Sequence, residues 1–518
     1  MRFSVRLMHW LLVAALGLSA CQSTPPPPLR VSVVGDVLLA RAVPAGLAAD
    51  SAALARHARR RWAGSRYVVG NLECPLTAAA AAVPVARAVV FRADPRWAGW
   101  LRRLGLTHLG LANNHILDQR LPGLRTTART VRLAGLEPLG YQPDSAAGCL
   151  PTVLGPDSSV AVLAYSALRV GVGGEGCVCG RDFAALCERL AAYKTLFPGR
   201  AVLVYLHWGT EYAAQPTDAQ RQQARALIDC GAAAVVGAHP HVVQTMEYYR
   251  GCPILYSLGN FLFDQRGAAT DLTVQADFDL RDGRVVATYL RPWQLVRAVP
   301  RPADARAQAA LAGRIGRHSP AVRLAAAADG WQLLPVVAAG VATEAAADSL
   351  PGYFRRQVAL AGPTGPAVAE LRYRPVGRYC QVRVASADGQ RAGVVDFRYA
   401  IYAFGTGDVD NDSYPDLLIG PIKPTRFDSA RHRCLFVYAL DSAGRLRPRW
   451  RGSRLLYQLV YFRAGQGADG RTYVRTIEQA PDGRYCVGRY YWQGFGLGLD
   501  AFLGQRLSLE AAYRCFVR

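Results

Sequence analysis

The chain has 518 residues, 61 Lys and Arg against 38 Asp and Glu, a formal net charge of +23 and 51% hydrophobic residues. That hydrophobic share excludes an intrinsically disordered protein, and the length exceeds what a single core organises, so two or three domains are expected. All the basic residues are arginine except Lys194 and Lys423; such a surface attracts polyanions, but no helix-turn-helix, RNA-recognition or zinc-finger pattern is present, which argues against nucleic acid.

Arg2 and Arg6 precede a short apolar run over 11–18, too short for a membrane span and suited to an export signal. Leu18-Ser19-Ala20-Cys21 resembles a bacterial lipobox. The resemblance implies removal of residues 1–20, lipidation of Cys21 and anchoring to the cell membrane or outer membrane, with 21–28 as a proline-rich tether. From 29 to 293 strand and helix alternate. Strands are expected at 29–34, 66–69, 107–112, 160–165, 201–206, 232–236, 253–258, 269–278 and 284–289. Helices are expected at 50–62, 95–104, 118–134, 182–196 and 217–230, from apolar residues at helical spacing. Residues 294–330 read as a helical connector, with the helix at 300–315. From 331 to 518, short Tyr-rich segments punctuated by Gly predict a separate, mostly β domain.

Five blocks stand at the carboxyl ends of predicted strands, where open α/β sheets place their sites. They are Gly35-Asp36, Gly70-Asn71-Leu72-Glu73, Asn113-Asn114-His115, His207-Trp208-Gly209-Thr210-Glu211 and Gly237-Ala238-His239-Pro240-His241. Each pairs Asp, Glu, Asn or His with small residues that let the chain turn. Two divalent cations held close together would activate water, polarise an anionic oxygen and stabilise a leaving group, and this residue set supplies the ligands. His239 and His241, two apart around a stiffening proline, are expected on one side of an extended segment. His108 reads as a core histidine, and Cys74 as a packed thiol.

Together with Tyr256-Ser257-Leu258-Gly259-Asn260-Phe261, these blocks make residues 29–264 resemble the CapA, or poly-γ-glutamate capsule biosynthesis, family, which is related to the calcineurin-like metallophosphoesterases. The resemblance implies a four-layer α/β/β/α sandwich and two transition metals (Mn, Fe or Zn). Asp36 and His241 would hold the first metal, and Asn114, His207 and His239 the second. Glu73 would bridge them, where relatives use Asp. His115 would be the acid or a phosphate-binding imidazole and Glu211 a catalytic or substrate-contacting carboxylate, with Asn71, Asn113 and Asn260 shaping the pocket. Asp36 is followed by Val37-Leu38 instead of the phosphoesterase Asp-x-His, which leaves the first metal poorer in ligands. Many relatives continue the Asn-His block with Asp-x-Gly; here Asp118 is followed by Gln119-Arg120, a change expected to alter a loop and not the metals.

In the β region, Asp408, Asp410, Asp412 and Asp416 resemble the calcium loop of FG-GAP and VCBS repeats, with Ser413 in place of the turn glycine and strands on either side. Twelve cysteines, with Cys177, Cys179 and Cys187 clustered, admit a disulfide or a thiol cluster. The readings that follow are a metal-dependent phosphoester-type hydrolase in capsule biosynthesis at the envelope, a non-catalytic factor that binds an anionic polymer, or a structural and adhesive surface lipoprotein.

Overall fold

The computed structural model describes residues 27–78, 89–143, 149–156, 159–168, 178–180, 182–265, 267–336, 356–363, 365–374, 379–386, 392–424, 431–452 and 455–518. Residues 1–20, expected to be an export signal, Cys21 and Cys177 lie outside them.

The first sheet is built on β1 (Leu29–Val37) and β2 (Tyr67–Leu72), with helix α1 (Val43–Trp62) between them. Helix α2 (Trp97–Leu104), β3 (His108–Gly110), α3 (Arg120–Leu133) and β4 (Glu137–Leu139) continue it in parallel. The second sheet runs through β5 (Thr152–Val153), β6 (Val160–Ser166), helix α4 (Phe183–Leu196), β7 (Ala201–His207), helix α5 (Asp218–Asp229), β8 (Ala234–Ala238), β9 (Met246–Tyr249) and β10 (Cys252–Leu255). The chain then returns to the first sheet through β11 (Asn260–Leu262), β12 (Leu272–Arg281) and β13 (Arg284–Val296).

Every residue of β2, β6, β7 and β8 is buried. A strand buried on both faces needs cover on both. One cover is the other sheet: the Tyr205 hydroxyl on β7 donates to the Val34 carbonyl on β1 at 2.6 Å. Helices supply the other. Their starts follow local chemistry: Asp182 and Thr217 accept from backbone N–H groups three residues on, and Thr217 completes a capping box with Gln220.

The first sheet extends beyond the expected boundary. After β13 come β14 (Val299–Pro302), helix α6 (Ala305–His318), β15 (Val322–Ala327) and β16 (Gly330–Pro335). Strands β14 and β16 both pair with β13, and β15 pairs with β16, so 294–335 is part of the sheet and not a helical connector. The helix expected at 300–315 begins only after Asp304, whose side chain caps Ala307. Among the described residues no helix is long and apolar enough to cross a membrane.

Three antiparallel sheets follow. The first is β17 (Arg356–Gly362), β18 (Gly365–Arg374), β19 (Tyr379–Ser386) and β20 (Ala392–Phe397). The second is β21 (Ala400–Gly407), β22 (Asp416–Pro424), β23 (Arg431–Arg433), β24 (Phe436–Leu440) and β25 (Leu446–Trp450). The third is β26 (Gln458–Gln466), β27 (Thr472–Gln479), β28 (Tyr485–Trp492) and β29 (Leu497–Leu507), closed by helix α7 (Leu509–Val517). The middle sheet is apolar on both faces. Leu417, Ile419, Phe436 and Tyr438 join the core of the first sheet, whereas Leu418 and Val437 join that of the third. The alternation is the period-two signature of a strand. Helix α7 docks on α4: the Tyr513 and Tyr193 rings lie 5.4 Å apart, and Arg200 pairs with Glu510 at 3.1 Å.

Two glycines permit the closest approaches in the first two sheets. A Cβ on Gly35 would lie 1.7 Å from the Gly259 carbonyl, and one on Gly237 1.9 Å from that of Tyr256. Gly35→Ala is therefore expected to cost roughly 3 kcal/mol or more, read from denaturant unfolding beside wild type; an unchanged midpoint would refute the close approach. His108 is buried on β3 with its ring edge-on to Tyr67, and burial lowers its pKa from 6.5 to about 4. The folded state thus favours the neutral ring. That contribution is complete above pH 6.5 and disappears as pH falls toward 4, an effect on the order of 3 kcal/mol. Urea unfolding at pH 7 and pH 4 should show wild type losing about that much more than His108→Gln; parallel losses would refute it.

Candidate metal centre

Parallel register brings the predicted ligand blocks to one level. Asp36 pairs with Asn71 on one side and Asn260 on the other, Asn71 with Gly110, and His207 with Ala238. Asp36, Asn71, Glu73, Asn113, His207, His239, His241 and Asn260 are all buried there, and Asn114 and His115 are half-buried.

Two three-ligand groups form, each with its ligand atoms within 4.8 Å of one another: Asp36, Glu73 and His207, and Glu73, His239 and His241. Glu73 belongs to both, as expected of a bridging carboxylate. The partition differs from the expected one, because His207 stands with Asp36, at 3.9 Å, and His241 with His239. Asp36 still reaches His241 Nδ1 at 3.4 Å, so the two groups interlock.

His239 and His241 do not converge through an extended segment. Their φ angles are 96° and 60°, both left-handed, so two sharp turns around Pro240 bring the rings together. Such strain persists where surrounding contacts over-determine it; here the His239 N–H donates to Asp36 Oδ2 at 3.0 Å.

Amides position the ligands. Asn71 Nδ2 donates to Asp36 Oδ1 at 2.8 Å and lies 3.1 Å from His207 Nδ1. His207 Nε2 lies 2.8 Å from Asn114 Oδ1, and His241 Nδ1 lies 2.9 Å from Asn260 Oδ1. Asn113 donates to Asn71 Oδ1 and to the Leu72 carbonyl, pinning the loop that carries Asn114 and His115.

Burial opposes ionisation of both carboxylates. For Asp36 the hydrogen bond from His241, the charges of His241 and His207 and the Asn71 amide outweigh burial, and its pKa falls. For Glu73 burial and the negative charges of Asp36 and Glu211 act together and hold it well above the usual range. Burial, reinforced by neighbouring imidazoles, keeps His207 well below its ordinary value and lowers His239 to about 4. Neutral imidazoles are the form that binds metals. Glu73 Oε2 and His239 Nδ1 are buried without a hydrogen-bond partner. Orphaned acceptors of this kind, in a set of two carboxylates and three imidazoles, fit divalent cations.

Asp118, part of the matched Asn-His block but given no role from sequence, has a place in the site. Its Oδ2 accepts from His115 Nδ1 at 2.8 Å and from the Phe91 N–H at 2.7 Å. The His-x-x-Asp spacing within a turn was the available signal. Glu211 is exposed at the rim; its charge is felt by Glu73 and His239. Cys74 is fully buried, and burial pushes its thiol up to about 12, which suits packing and not attack.

In the β region the carboxylates of Asp408, Asp410 and Asp412 converge, and Asp416 stands outside that group, its Oδ2 accepting from the Val409 N–H. Both Asp408 oxygens accept backbone N–H groups, and Arg449 sits 3.4 Å from Asp410 and 3.3 Å from Asp412. The loop thus carries its own counter-charge. Ser413 adopts φ 75°, the conformation that a turn glycine takes readily. Among the described cysteines, the buried thiols of Cys149 and Cys179 lie in hydrogen-bonding contact.

Comparison with known proteins adds to this geometry. The chain is 29% identical over 291 residues to the PGA biosynthesis protein CapA of Bacillus subtilis, covering 53% of this chain and 73% of that protein. It is 28% identical over 292 residues to the capsule biosynthesis protein CapA of Bacillus anthracis, covering 53% and 69%. A solved structure assigned as a 5'-nucleotidase from Staphylococcus aureus, in complex with alpha-ketoglutarate, aligns at a TM-score of 0.33 with 12% identity, over 54% of this chain and 55% of that one. Residues 30–265, which hold every ligand of the candidate centre, match the family described as bacterial capsule synthesis protein PGA_cap, so this segment is similar to the capsule synthesis proteins of that family.

Proposed function

We propose that the CapA-like domain is a metal-dependent hydrolase of a phosphoester or related anionic bond, working in capsule or poly-γ-glutamate biosynthesis at the cell envelope from a lipid anchor at Cys21. The observation that carries this reading is Glu73: a buried carboxylate shared by two three-ligand groups, with one oxygen unpartnered. Asp36, Glu73, Asn114, His207, His239 and His241 would hold two divalent cations of the Mn, Fe or Zn type. When bound, the cations supply Lewis-acid charge that polarises an anionic ester and acidifies water. Asn71 and Asn260 orient the ligands. His115, held through Nδ1 by Asp118, keeps Nε2 for a proton transfer to the leaving group. Glu211 contacts the substrate from the rim. In this reading the loop at 408–416 binds calcium only where the ion displaces Arg449 from Asp410 and Asp412.

A second reading, a non-catalytic factor that holds an anionic polymer, is favoured by one feature. An open groove of about 1160 Å³ is lined by Arg66, Arg102, Arg132, Arg514 and Arg518 at the amino ends of β2 to β4, away from the candidate centre.

Elemental analysis of never-chelated wild type beside Glu73→Ala and His239→Ala/His241→Ala tests the hydrolase reading. Wild type is expected to carry close to two transition metals per chain. Both variants should lose them, together with turnover on a phosphoester and γ-glutamyl panel, and Asn71→Ala should weaken metal binding about 10- to 100-fold. Folded wild type without metal, or metal-loaded protein inert across the panel, would move the assignment to the polymer-holding reading.

A further inference from the structure

At the mouth of the candidate centre stands an arginine that none of the ligand motifs includes. Arg41 follows the carboxyl end of β1, five residues after Asp36, in a left-handed conformation with φ 56°. Asp264 holds it there: one carboxylate oxygen accepts from Arg41 Nη2, and the other from the N–H of Ala42 at 3.0 Å. The guanidinium carbon lies 5.0 Å from the centre of the Phe91 ring and 5.6 Å from that of Phe263. Those rings are also the packing surfaces of the centre's imidazoles, Phe91 lying 4.3 Å from His115 and Phe263 4.7 Å from His241. Arg41 is therefore one aromatic ring away from the expected proton donor and one ring away from a metal ligand. Its side chain is nonetheless 40% exposed, while Asp264 is only 12% exposed. Tyr212, whose ring lies 6.1 Å from that of His241, is also held at this rim, its hydroxyl accepting from Gln265 Nε2 at 2.9 Å.

A surface ion pair alone does not call for this much restraint. A carboxylate clamp, two ring faces and an unfavourable backbone conformation together fix where one guanidinium sits. An arginine fixed in this way is pre-organised for planar, two-pronged recognition of a carboxylate or phosphate. Asp264 takes Nη2, one of the nitrogens of a fork with five donors. The centre itself carries Asp36, Glu73, Asp118 and, at the rim, Glu211. An anionic substrate approaching these carboxylates needs positive charge from the protein as well as from any bound cation. We propose that Arg41 forms a subsite for a second anionic group of the substrate, a carboxylate or a phosphate, next to the bond acted on at the centre. The inference rests on the hydrolase reading for its reacting bond. It adds a specificity-determining residue: Arg41 fixes where a second anionic group of the substrate is held relative to the reacting one.

The test uses full-chain protein loaded with Mn²⁺, as wild type, Arg41→Ala and Arg41→Lys. Each is titrated calorimetrically with inorganic phosphate and, separately, with a short γ-linked oligoglutamate, and the bound metal is measured in the same samples. Arg41→Ala should keep its metal and lose about tenfold or more in affinity for at least one probe. Arg41→Lys, which keeps the charge without the planar fork, should fall between. The probe affected separates a phosphate subsite from a carboxylate one. Equal binding by wild type and Arg41→Ala, or no binding of either probe to wild type, overturns the proposal. If Arg41→Ala does not fold, Arg41→Lys decides, with wild-type affinity for both probes counting against the subsite. Wild type that binds a probe through Arg41 but holds no metal overturns the hydrolase reading and leaves the subsite standing.

Discussion

Two carboxylates, Asp36 and Glu73, are buried side by side under three imidazoles, and the surrounding architecture answers to the cost of that arrangement. Adjacent buried carboxylates cannot both ionise cheaply without positive charge. The protein meets half of the problem itself: amide and imidazole donors stabilise Asp36 as the anion. For Glu73 burial and the neighbouring negative charges push the pKa well above the usual range, so its proton is held more tightly, and one oxygen is unpartnered at the junction of the two ligand groups. Divalent cations would displace that proton, so loading is coupled to pH. The glycines belong to the same problem. Only because Gly35 lets β1 lie directly against Gly259 can Asp36 and Asn260 share a level.

Much of the metal centre could be read from the chain because its parts are local. A short, fully buried parallel strand is an uninterrupted apolar run, and a ligand block directly after such a run is at the sheet's carboxyl edge wherever the strand sits. Strands β1, β2, β6, β7 and β8 were legible for that reason, and the helices at 182–196 and 217–230 from apolar residues at helical spacing. What depended on distant partners was not legible. Strand β15 is half alanine, with Val322 as its one β-branched residue, and is a strand because β16 pairs with it and β16 with β13. The left-handed turns at His239 and His241 are held by Asp36, some two hundred positions earlier. Arg41 belongs to no motif; Asp264, Phe91 and Phe263 give it a place.

The carboxy-terminal sheets bear on the centre from its far side. Helix α7 grips α4, and Arg200, paired to Glu510, immediately precedes β7. His207 ends the same strand, so the docking contact and the ligand are separated by seven strand residues, roughly 20 Å at 3.3 Å per residue. The β region therefore anchors the amino end of a ligand-bearing strand without lining the centre. Its Asp-rich turn is likewise a self-contained electrostatic unit: Arg449 and backbone N–H groups already offset the charges that an ion would bind.

Charge operates on two length scales in this protein. The surplus of arginine gives a net charge of +23, and such a field draws anions toward the whole surface. That attraction is screened over about 10 Å at moderate ionic strength and does not choose among them. At the candidate centre the local sign reverses: buried carboxylates dominate, with Glu211 beside them at the rim. On the hydrolase reading proposed above, cations and a fixed guanidinium would change that balance for an anion drawn in by the molecule as a whole. Selectivity then follows from how far a second anionic group lies from the reacting one, because Arg41 is held by Asp264, Phe91 and Phe263 and cannot follow the ligand.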